Sequence, residues 1–598
     1  MSRGWGPAGG EIVSGKGKRK QGLLRIRRLG TYVEPYRLRL LGAIVAMFGV
    51  LACTLALPLL MKSAIDSAII PRDTNLLVII AGVVIGVGIV GIALSRVETY
   101  LTGWVGERVL NDLRVDLFQH MQSLSMGYFE KQRTGVLISR LTNDVEALQQ
   151  LVTDGLTSTV RNVLTLVVAG GILLFLDFRL ALATIIVFPL MAILTFIFRG
   201  QSAKAYGQMR SRLALVTASL QEDLNGIRVI QAYRREAKSR AQIAVLNDSY
   251  RDANRTTVTS SGWYFPTVEF LAAVATCIVF GYGGYLYVDG TIEIGVLVAF
   301  IGYLASFFDP VQQLSQVYNT FLAGTAALDK IFDVMDDEPT LVDEPGATAL
   351  PTLAGAVRFE QVRFGYNPER PVVDGLELDV KAGQTVALVG HTGAGKSTII
   401  KLLARFYDPQ SGRITIDGHD LRAVTIESLR DQIAMVPQEG FLFNGTIHEN
   451  IAFGRPDASR AEVEAAAREV GADRFITQLP DGYDEKVAER GSRLSIGQRQ
   501  LIAFARALLV DPRLLILDEA TSSVDIQTEA HIEEALARLL ADRTAFVVAH
   551  RLSTIRNADL IVVLEHGKVV EVGSHDELLE RGGRYRGLYG DWAEATAR

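Results

Sequence analysis

The chain has 598 residues, of which 49% are hydrophobic and 21% are charged, and its formal net charge is −5. This slight acidity excludes an overall electrostatic attraction to nucleic acid, and the apolar content excludes a disordered chain. A mean hydropathy of +0.22 over this length favours membrane spans over one soluble core. The two cysteines, Cys53 and Cys277, are too few for a disulfide framework and are expected to be buried apolar residues.

Six stretches without Asp, Glu, Lys or Arg predict six transmembrane helices in the N-terminal half. Two stretches have 22 residues, about 33 Å as helix, which covers a bilayer core of about 30 Å. Two have 19 residues and two have 15, and the shortest two need helices that continue past Arg161 or past Glu293 and Asp309. The stretches are Leu40–Met61, Thr74–Ser95, Asn162–Leu176, Leu180–Phe198, Phe270–Val288 and Ile294–Phe308.

The connections between these stretches alternate in length, and their charges predict an orientation. Residues 62–73, 177–179 and 289–293 are short, whereas residues 96–155 and 199–262 are long and polar. Lysine and arginine crowd the N-terminal tail and the long loops, so the positive-inside rule predicts that both termini and both long loops are cytoplasmic. The basic tail is expected either to contact anionic lipid headgroups or to be a disordered cytoplasmic tail.

Short apolar clusters interrupt the charged helical pattern of both long loops, around residues 128–130 and 226–233. We interpret the loops as helical extensions of the spans, each with a short connecting helix at its tip. The alternative is a soluble helical hairpin without a partner.

A change of composition after Asp309 and Pro310 divides the chain. The predicted organisation is a basic cytoplasmic tail over residues 1–35, a six-span domain over 36–325, an acidic, proline-containing linker over 326–354 and a soluble domain over 355–598. Within the last range, residues 390–397 have the form GxxxxGK(S/T) between a predicted strand and a predicted helix. The fold class is therefore an all-α six-helix transmembrane domain followed by an α/β P-loop nucleotide-binding domain.

A glycine-rich loop between a predicted strand and a predicted helix indicates nucleotide binding. Glycines let successive backbone N–H groups face a phosphate without Cβ clashes, and the helix N-terminus adds its positive dipole. The lysine is expected to reach the β- and γ-phosphates, and the serine hydroxyl is expected to ligate Mg²⁺. The motif comprises Gly390, His391, Thr392, Gly393, Ala394, Gly395, Lys396, Ser397 and Thr398.

Two further apolar strands end in titratable residues. The first, beginning at Leu514, ends in Asp518 and Glu519. Asp518 is expected to hold Mg²⁺, and Glu519 is expected to polarise the attacking water as general base. The second, beginning at Thr544, ends in His550, which is expected to hold the γ-phosphate and help position that water.

With these motifs the chain resembles an ATP-binding cassette (ABC) exporter half-transporter along nearly its whole length. The resemblance implies that Tyr366 stacks on adenine and that Gln438 senses Mg²⁺ and couples to the membrane domain. It also identifies Glu489-Arg490-Gly491 with the exporter-specific loop that contacts the long cytoplasmic loops. Asp525 lies in the segment that matches the loop bridging the two nucleotide sites.

The resemblance further implies a dimer with two ATP molecules at its interface. Residues 494–498, Leu-Ser-Ile-Gly-Gln, match the signature motif, which contacts the ATP held by the P-loop of the other chain. Ser495, Gly497 and Gln498 are then ATP-binding residues that open a helix. The implied cofactors are ATP and Mg²⁺, and the implied partners are a second half-transporter and the lipid bilayer, with no nucleic acid.

The signature departs from the family's commonest form, Leu-Ser-Gly-Gly-Gln, at Ile496. A branched side chain there restricts the backbone and adds bulk near the phosphate. In family heterodimers, one chain often keeps the glutamate base with an altered signature, and Glu519 with Ile496 fits that half. We therefore favour a heterodimer, while tolerated variation in a homodimer is the alternative.

Charged residues near the predicted spans give the only indication of the transported molecule. Arg161 and Glu269 are expected toward the cytoplasmic side, where they either pair, contact an amphipathic substrate or join helices. The predicted function is ATP-driven export of a drug, lipid or peptide through a prokaryotic plasma membrane. The alternatives are an importer with exporter architecture, for example of a metal chelate, and an ATP-gated channel or regulator.

Overall fold

The structure is a computed structural model, and it describes residues 25, 28–438, 440–488, 491, 493–518, 526–549 and 551–596. The chain forms two compact units. The first comprises residues 1–122 and 133–337, and the second comprises residues 123–132 and 338–598. The short segment 123–132 therefore belongs to the C-terminal unit although it lies between the second and third spans in sequence.

The N-terminal part of the chain is helical throughout. Its α-helices are α1 Arg37–Ser63, α2 Thr74–Ser123, α3 Met126–Lys131, α4 Thr134–Ser139, α5 Val145–Gln149, α6 Thr157–Leu176, α7 Phe178–Thr184, α8 Val187–Asn225, α9 Ile227–Ala232, α10 Glu236–Ile278, α11 Gly284–Val288 and α12 Ile294–Met335. Single π-helical segments join several of them, at Ala64–Ile69, Arg140–Asp144, Gln150–Leu156 and Val279–Gly283, and Glu34–Tyr36 is a 3₁₀ turn.

Six helical stretches of the described chain are long and apolar enough to cross a membrane, which confirms the six predicted spans. They are Arg28–Ile69, Thr74–Ser123, Thr134–Leu176, Phe178–Asn225, Glu236–Val288 and Ile294–Leu314. The two shortest charge-free runs are extended past Arg161 in α6 and past Asp309 in α12. The expected extension past Glu293 is wrong, because α12 begins at Ile294 with Glu293 as its N-cap. Helix α12 extends to Met335, through the first ten residues of the range that the sequence analysis assigns to a linker.

Apolar side chains on the outside of this unit match a lipid environment. Ile92, Phe175 and Phe196 are largely exposed, whereas Tyr264 and Phe300 are fully buried in the helix-packed core. Because both faces of a membrane helix are apolar, an apolar run does not fix which side chains are buried. The expectation for the cysteines is accordingly wrong for Cys277, which is exposed, and Cys53 is half-buried.

The long loops are helical extensions, as predicted. Helices α2, α8 and α10 have 50, 39 and 43 residues, and at about 1.5 Å per residue each is much longer than a bilayer core is thick. The short helices α3 and α9 lie at the two loop tips. The structure thus provides the predicted connecting helices.

The described end of the basic tail contacts the C-terminal end of α12. The Arg25 guanidinium donates to Asp329 at 2.9 Å and to Asp333 at 2.6 Å, and Arg28 pairs with Asp336. The acidic residues follow one face of the helix, at intervals of four and three residues. The rest of the tail lies outside the described residues.

The second unit contains a mixed six-stranded sheet and a smaller antiparallel sheet. The strands are β1 Val357–Phe364, β2 Val373–Val380, β3 Thr385–Val389, β4 Ser411–Ile416, β5 His419–Asp420, β6 Ile433–Val436, β7 Gly445–Thr446, β8 Lys486–Val487, β9 Leu514–Asp518, β10 Thr544–Val548, β11 Leu560–Glu565 and β12 Lys568–Gly573. The larger sheet has the order β12-β11-β3-β10-β9-β6, the smaller has β2-β1-β4-β5, and β7 pairs with β8.

Helices cover the larger sheet. They are α13 Lys396–Leu403, α14 Ile426–Arg430, α15 Ile447–Ala452, α16 Arg460–Glu469, α17 Asp473–Ile476, α18 Ile496–Leu509, α19 Ile526–Leu540, α20 Leu552–Arg556, α21 His575–Arg581 and α22 Arg584–Thr596, and Gly482–Asp484 is a 3₁₀ turn. Strands β6, β9, β10, β3 and β11 are parallel. Since every residue of β10 is buried, the sheet is covered on both faces, as is typical of parallel sheets in α/β proteins.

Candidate functional site: a nucleotide-binding edge of the sheet

The phosphate loop follows β3 at the carboxyl edge of the larger sheet and leads into α13. Gly395 caps the helix with a φ of +103°, a conformation that favours glycine. A Cβ at Gly390 would lie 2.3 Å from the backbone oxygen of Leu564, so this position has no room for a side chain. The glycines of the motif are therefore required by the backbone and by close packing.

The Lys396 ammonium lies inside this loop. Lys396 is only 7% exposed, and its Nζ donates to the backbone oxygens of Gly390 at 2.6 Å and His391 at 3.1 Å. Burial lowers the pKa of Lys396, and the negative charge of Asp518 partly opposes that shift. The structure thus brings the lysine of the loop and the carboxylate of β9 into one electrostatic neighbourhood.

The residues predicted to hold Mg²⁺ lie at the carboxyl edge of the larger sheet. Ser397 is in the first turn of α13, Asp518 is the last residue of β9, and Gln438 follows β6, which pairs with β9. Ser397 and Gln438 are exposed. Hydroxyl, carboxylate and amide oxygens are ligands that Mg²⁺ accepts, so the donor set fits this ion.

Tyr366 lies beside the phosphate loop on the segment that follows β1. Its hydroxyl is 3.4 Å from the Thr398 hydroxyl, and its ring contacts Phe364 and Tyr407 edge-on. Since 44% of Tyr366 is exposed, ring surface remains available to a stacking base. The other loop residues, His391, Thr392 and Gly393, are exposed, and Ala394 is buried.

The signature residues open helix α18. The Ser495 side chain accepts from the Gln498 backbone N–H, the Gln498 side chain accepts from the Ser495 backbone N–H, and Gly497 is buried. Ile496 has ordinary helical backbone geometry and is 46% exposed. The branched side chain is therefore accommodated in a helical backbone, and it adds apolar bulk at the exposed surface.

Several predicted residues lie outside the described residues. These are Glu519, Asp525 and His550, together with Glu489 and Arg490 of the exporter-specific loop. Their roles stay predictions. The structure supports the placement of their flanking elements, because β9 ends at Asp518 and β10, which pairs with β9, ends at Val548.

In the membrane unit, Arg161 does not pair with Glu269. It pairs with Glu98 of α2, which is only 1% exposed, whereas Glu269 is exposed. Oε2 of Glu98 and Nδ2 of the neighbouring Asn162 have no hydrogen-bond partner among the described residues. The sequence does not single out Glu98, because this residue lies three residues beyond a charge-free run, in a segment that is predicted as a loop.

The membrane unit has six spans, and the second unit has a phosphate loop and suitable Mg²⁺ ligands at the carboxyl edge of its larger sheet. This combination defines a membrane transporter driven by a nucleotide. Comparison with known families agrees with that class. The ABC transporter transmembrane region matches residues 40–311, and the ABC transporter domain matches residues 373–522.

Individual relatives match along most of their length. An uncharacterized ABC transporter ATP-binding protein, YknV of Bacillus subtilis, is 40% identical over 564 residues, covering 94% of this chain and 93% of the relative. An ATP-dependent lipid A-core flippase of Syntrophus aciditrophicus is 38% identical over 563 residues, covering 94% of each chain. The structure of a bacterial Atm1-family ABC exporter with ATP bound has a TM-score of 0.79 and 32% identity, covering 93% of this chain and 98% of that one.

The chain belongs to the ABC transporter family and has the architecture of an exporter half-transporter. It is a multi-pass membrane protein whose ATP-binding domain couples ATP hydrolysis to transport. Exporter half-transporters work as dimers within a membrane.

Proposed function

We propose that this chain is one half of an exporter that moves amphipathic or hydrophobic molecules from the cytoplasm or the inner leaflet of a plasma membrane. The enclosed Lys396 ammonium beside Asp518 carries the ATP-driven part of this proposal. The names of two relatives, the lipid A-core flippase and a putative multidrug export protein of Bacillus subtilis, YgaD, support the substrate class. YgaD is 38% identical over 571 residues, covering 94% of this chain and 98% of the relative.

In the proposed site, ATP lies between two chains. The loop 390–398 and Tyr366 of one chain hold the phosphates and the adenine, and Ser495, Gly497, Gln498 and Asp525 of the other chain close the site. Mg²⁺, held by Ser397, Gln438 and Asp518, would neutralise charge on the phosphates. Glu519 accepts a proton from the attacking water, and His550 holds the γ-phosphate in place.

The positive-inside rule supports a cytoplasmic position for the nucleotide-binding domain and both termini. The tip helix α9 supports a partner chain, because Ile227, Val229 and Tyr233 at this tip are exposed apolar side chains. An exposed apolar patch on a cytoplasmic loop is typical of a protein–protein contact.

We favour a heterodimer because the exposed Ile496 side chain adds bulk where the ATP of the other chain is expected. The test is ATP turnover by the purified chain alone in lipid nanodiscs. We expect a folded chain that binds ATP with little turnover, and strong turnover after addition of a half-transporter with a Gly-Gly signature. Robust turnover by the chain alone would show a working homodimer and would overturn the heterodimer.

The ion pair between buried Glu98 and Arg161, whose side chain is 42% exposed, predicts a stability effect. Arg161→Ala leaves the Glu98 carboxylate buried without its partner, and an unsatisfied buried acceptor costs about 1–3 kcal/mol. We expect the midpoint of thermal unfolding in nanodiscs to fall by about 2–6 °C. Arg161→Ala combined with Glu98→Ala should recover most of this loss.

Exposed Glu269 provides the matched control, since Glu269→Ala removes no ion pair of the described structure. It should leave the unfolding midpoint unchanged and lower transport if Glu269 contacts the substrate. Unchanged transport by both Glu269→Ala and the double variant would exclude a substrate role for these charges. An unchanged midpoint for Arg161→Ala would show that the pair does not stabilise the fold.

A further inference from the structure

Glu130 of the tip helix α3 is bound by two side chains of the nucleotide-binding domain, within the second compact unit. Lys401 Nζ donates to Glu130 Oε1 at 2.7 Å, and the Tyr407 hydroxyl donates to Glu130 Oε2 at 2.8 Å. Both carboxylate oxygens are therefore engaged, one by a charged donor and one by a neutral donor. Lys401 is in α13, the helix that begins at the phosphate loop, and Tyr407 follows it.

The same two donors contact Tyr366. The Tyr366 and Tyr407 ring centroids are 5.4 Å apart with an interplanar angle of 87°, and Lys401 Nζ is 5.6 Å from the centre of the Tyr366 ring. Phe364 completes the cluster. Its ring centroid is 5.3 Å from that of Tyr366 and 5.2 Å from that of Tyr407. Edge-on rings and an ammonium over a ring face are attractive arrangements. Lys401 and Tyr407 thus each contact both Glu130 and Tyr366.

The contacts determine the protonation states of Glu130 and Tyr407 in this cluster. Burial alone would raise the pKa of Glu130, but the hydrogen bonds from Lys401 and Tyr407 outweigh it and lower the pKa below the ordinary range. Burial and the Glu130 carboxylate both raise the pKa of Tyr407. Glu130 is therefore ionised and Tyr407 protonated at neutral pH, so both hydrogen bonds are charge-assisted.

Helix α3 also packs tightly against Tyr407. A Cβ built on Gly127 would lie 3.2 Å from Tyr407 Cε1, closer than ordinary van der Waals contact. The glycine thus permits the approach that brings Glu130 within hydrogen-bond distance. Steric contact and charge both hold the Tyr407 ring in one orientation.

We propose that Glu130 is a positioning residue for the adenine base: through Lys401 and Tyr407 it holds the Tyr366 ring in the orientation that stacks on ATP. This inference rests on the proposed function, which assigns Tyr366 to adenine. Since coupling between two binding events is reciprocal, a bound base in turn strengthens the attachment of α3.

The test is calorimetric binding to the full-length chain in nanodiscs, with EDTA to prevent hydrolysis. The two ligands are ATP and inorganic tripolyphosphate, which lacks the base. We expect Glu130→Gln to weaken ATP binding about threefold and to leave tripolyphosphate binding unchanged. Tyr407→Phe should have a smaller effect of the same kind, and Glu130→Asp should restore part of the ATP affinity.

Lys131→Gln is the matched control, because Lys131 is exposed on the same helix. This substitution changes the net charge by the same magnitude as Glu130→Gln does. It should bind both ligands as the unmodified chain does. Equal weakening of ATP and tripolyphosphate by Glu130→Gln would show a general structural role and would overturn the proposal. Unchanged ATP binding would overturn it as well.

A Tyr366→Ala variant separates failure of this inference from failure of the proposed function. If Tyr366→Ala weakens ATP binding and Glu130→Gln does not, the adenine assignment stands and the role of Glu130 is wrong. If Tyr366→Ala leaves ATP affinity unchanged, the adenine assignment itself is wrong, and the role of Glu130 is wrong with it.

Discussion

Glu519→Gln is expected to lower steady-state ATP turnover of the assembled transporter by about 100-fold or more, while ATP affinity changes by less than about twofold. The amide keeps the size and polarity of the side chain but accepts no proton from the attacking water. ATP binding depends on other residues. Among them are Lys396 and Asp518, which ends β9 next to Glu519 and interacts electrostatically with Lys396. The measurement is phosphate release in nanodiscs beside equilibrium ATP binding.

Glu427→Gln is a suitable control for this experiment. Glu427 is an exposed acid in the first turn of α14, and the same isosteric change there should leave turnover and binding unaltered. Turnover by Glu519→Gln at the unmodified rate would show that another group is the general base. A parallel loss of ATP affinity would show that Glu519 acts in binding.

Lys396→Ala is expected to act on ATP binding itself. The enclosed ammonium is a charged donor directed into the phosphate loop, and loss of such a hydrogen bond costs about 1.5–3 kcal/mol. We therefore expect the Kd for ATP to rise about 10- to 100-fold. Because burial lowers the pKa of Lys396, the affinity of the unmodified chain should also weaken with rising pH, beginning below the ordinary lysine range.

Lys381→Ala provides the comparison, since Lys381 is an exposed lysine that precedes β3 in the same domain. ATP binding by this variant should match that of the unmodified chain at every pH. If Lys396→Ala bound ATP normally, or if ATP affinity rose with pH, the role assigned to the buried ammonium would be wrong.

The spans, the phosphate loop and the helices at the loop tips could be predicted from the sequence, because each depends on residues that are close together in the chain. Charge-free runs located all six spans, because a bilayer excludes charges over a fixed thickness. The glycine-rich motif located the phosphate loop, because a loop that packs its backbone against Leu564 leaves no room for a Cβ at Gly390. Apolar clusters in the loops located α3 and α9.

The remaining features depend on contacts between distant parts of the chain. Glu98 and Arg161 pair although they are 63 positions apart in the chain, and a count of charges along one helix does not show this. The contacts of Glu130 join residues that are 271 and 277 positions apart. Cys277 is exposed because an outward face of a membrane helix is as apolar as an inward one.

The most direct test of ATP-driven export is transport into inside-out membrane vesicles from cells that produce this chain together with a half-transporter that has a Gly-Gly signature. The probe is rhodamine 6G, an amphipathic fluorescent cation, and vesicles with Glu519→Gln are the control. We predict that ATP drives accumulation of the dye in the unmodified vesicles and not in the control. ATP-driven loss of preloaded dye from the inside-out vesicles would show import, and equal accumulation in both preparations would show transport without hydrolysis; either result would contradict the proposed function.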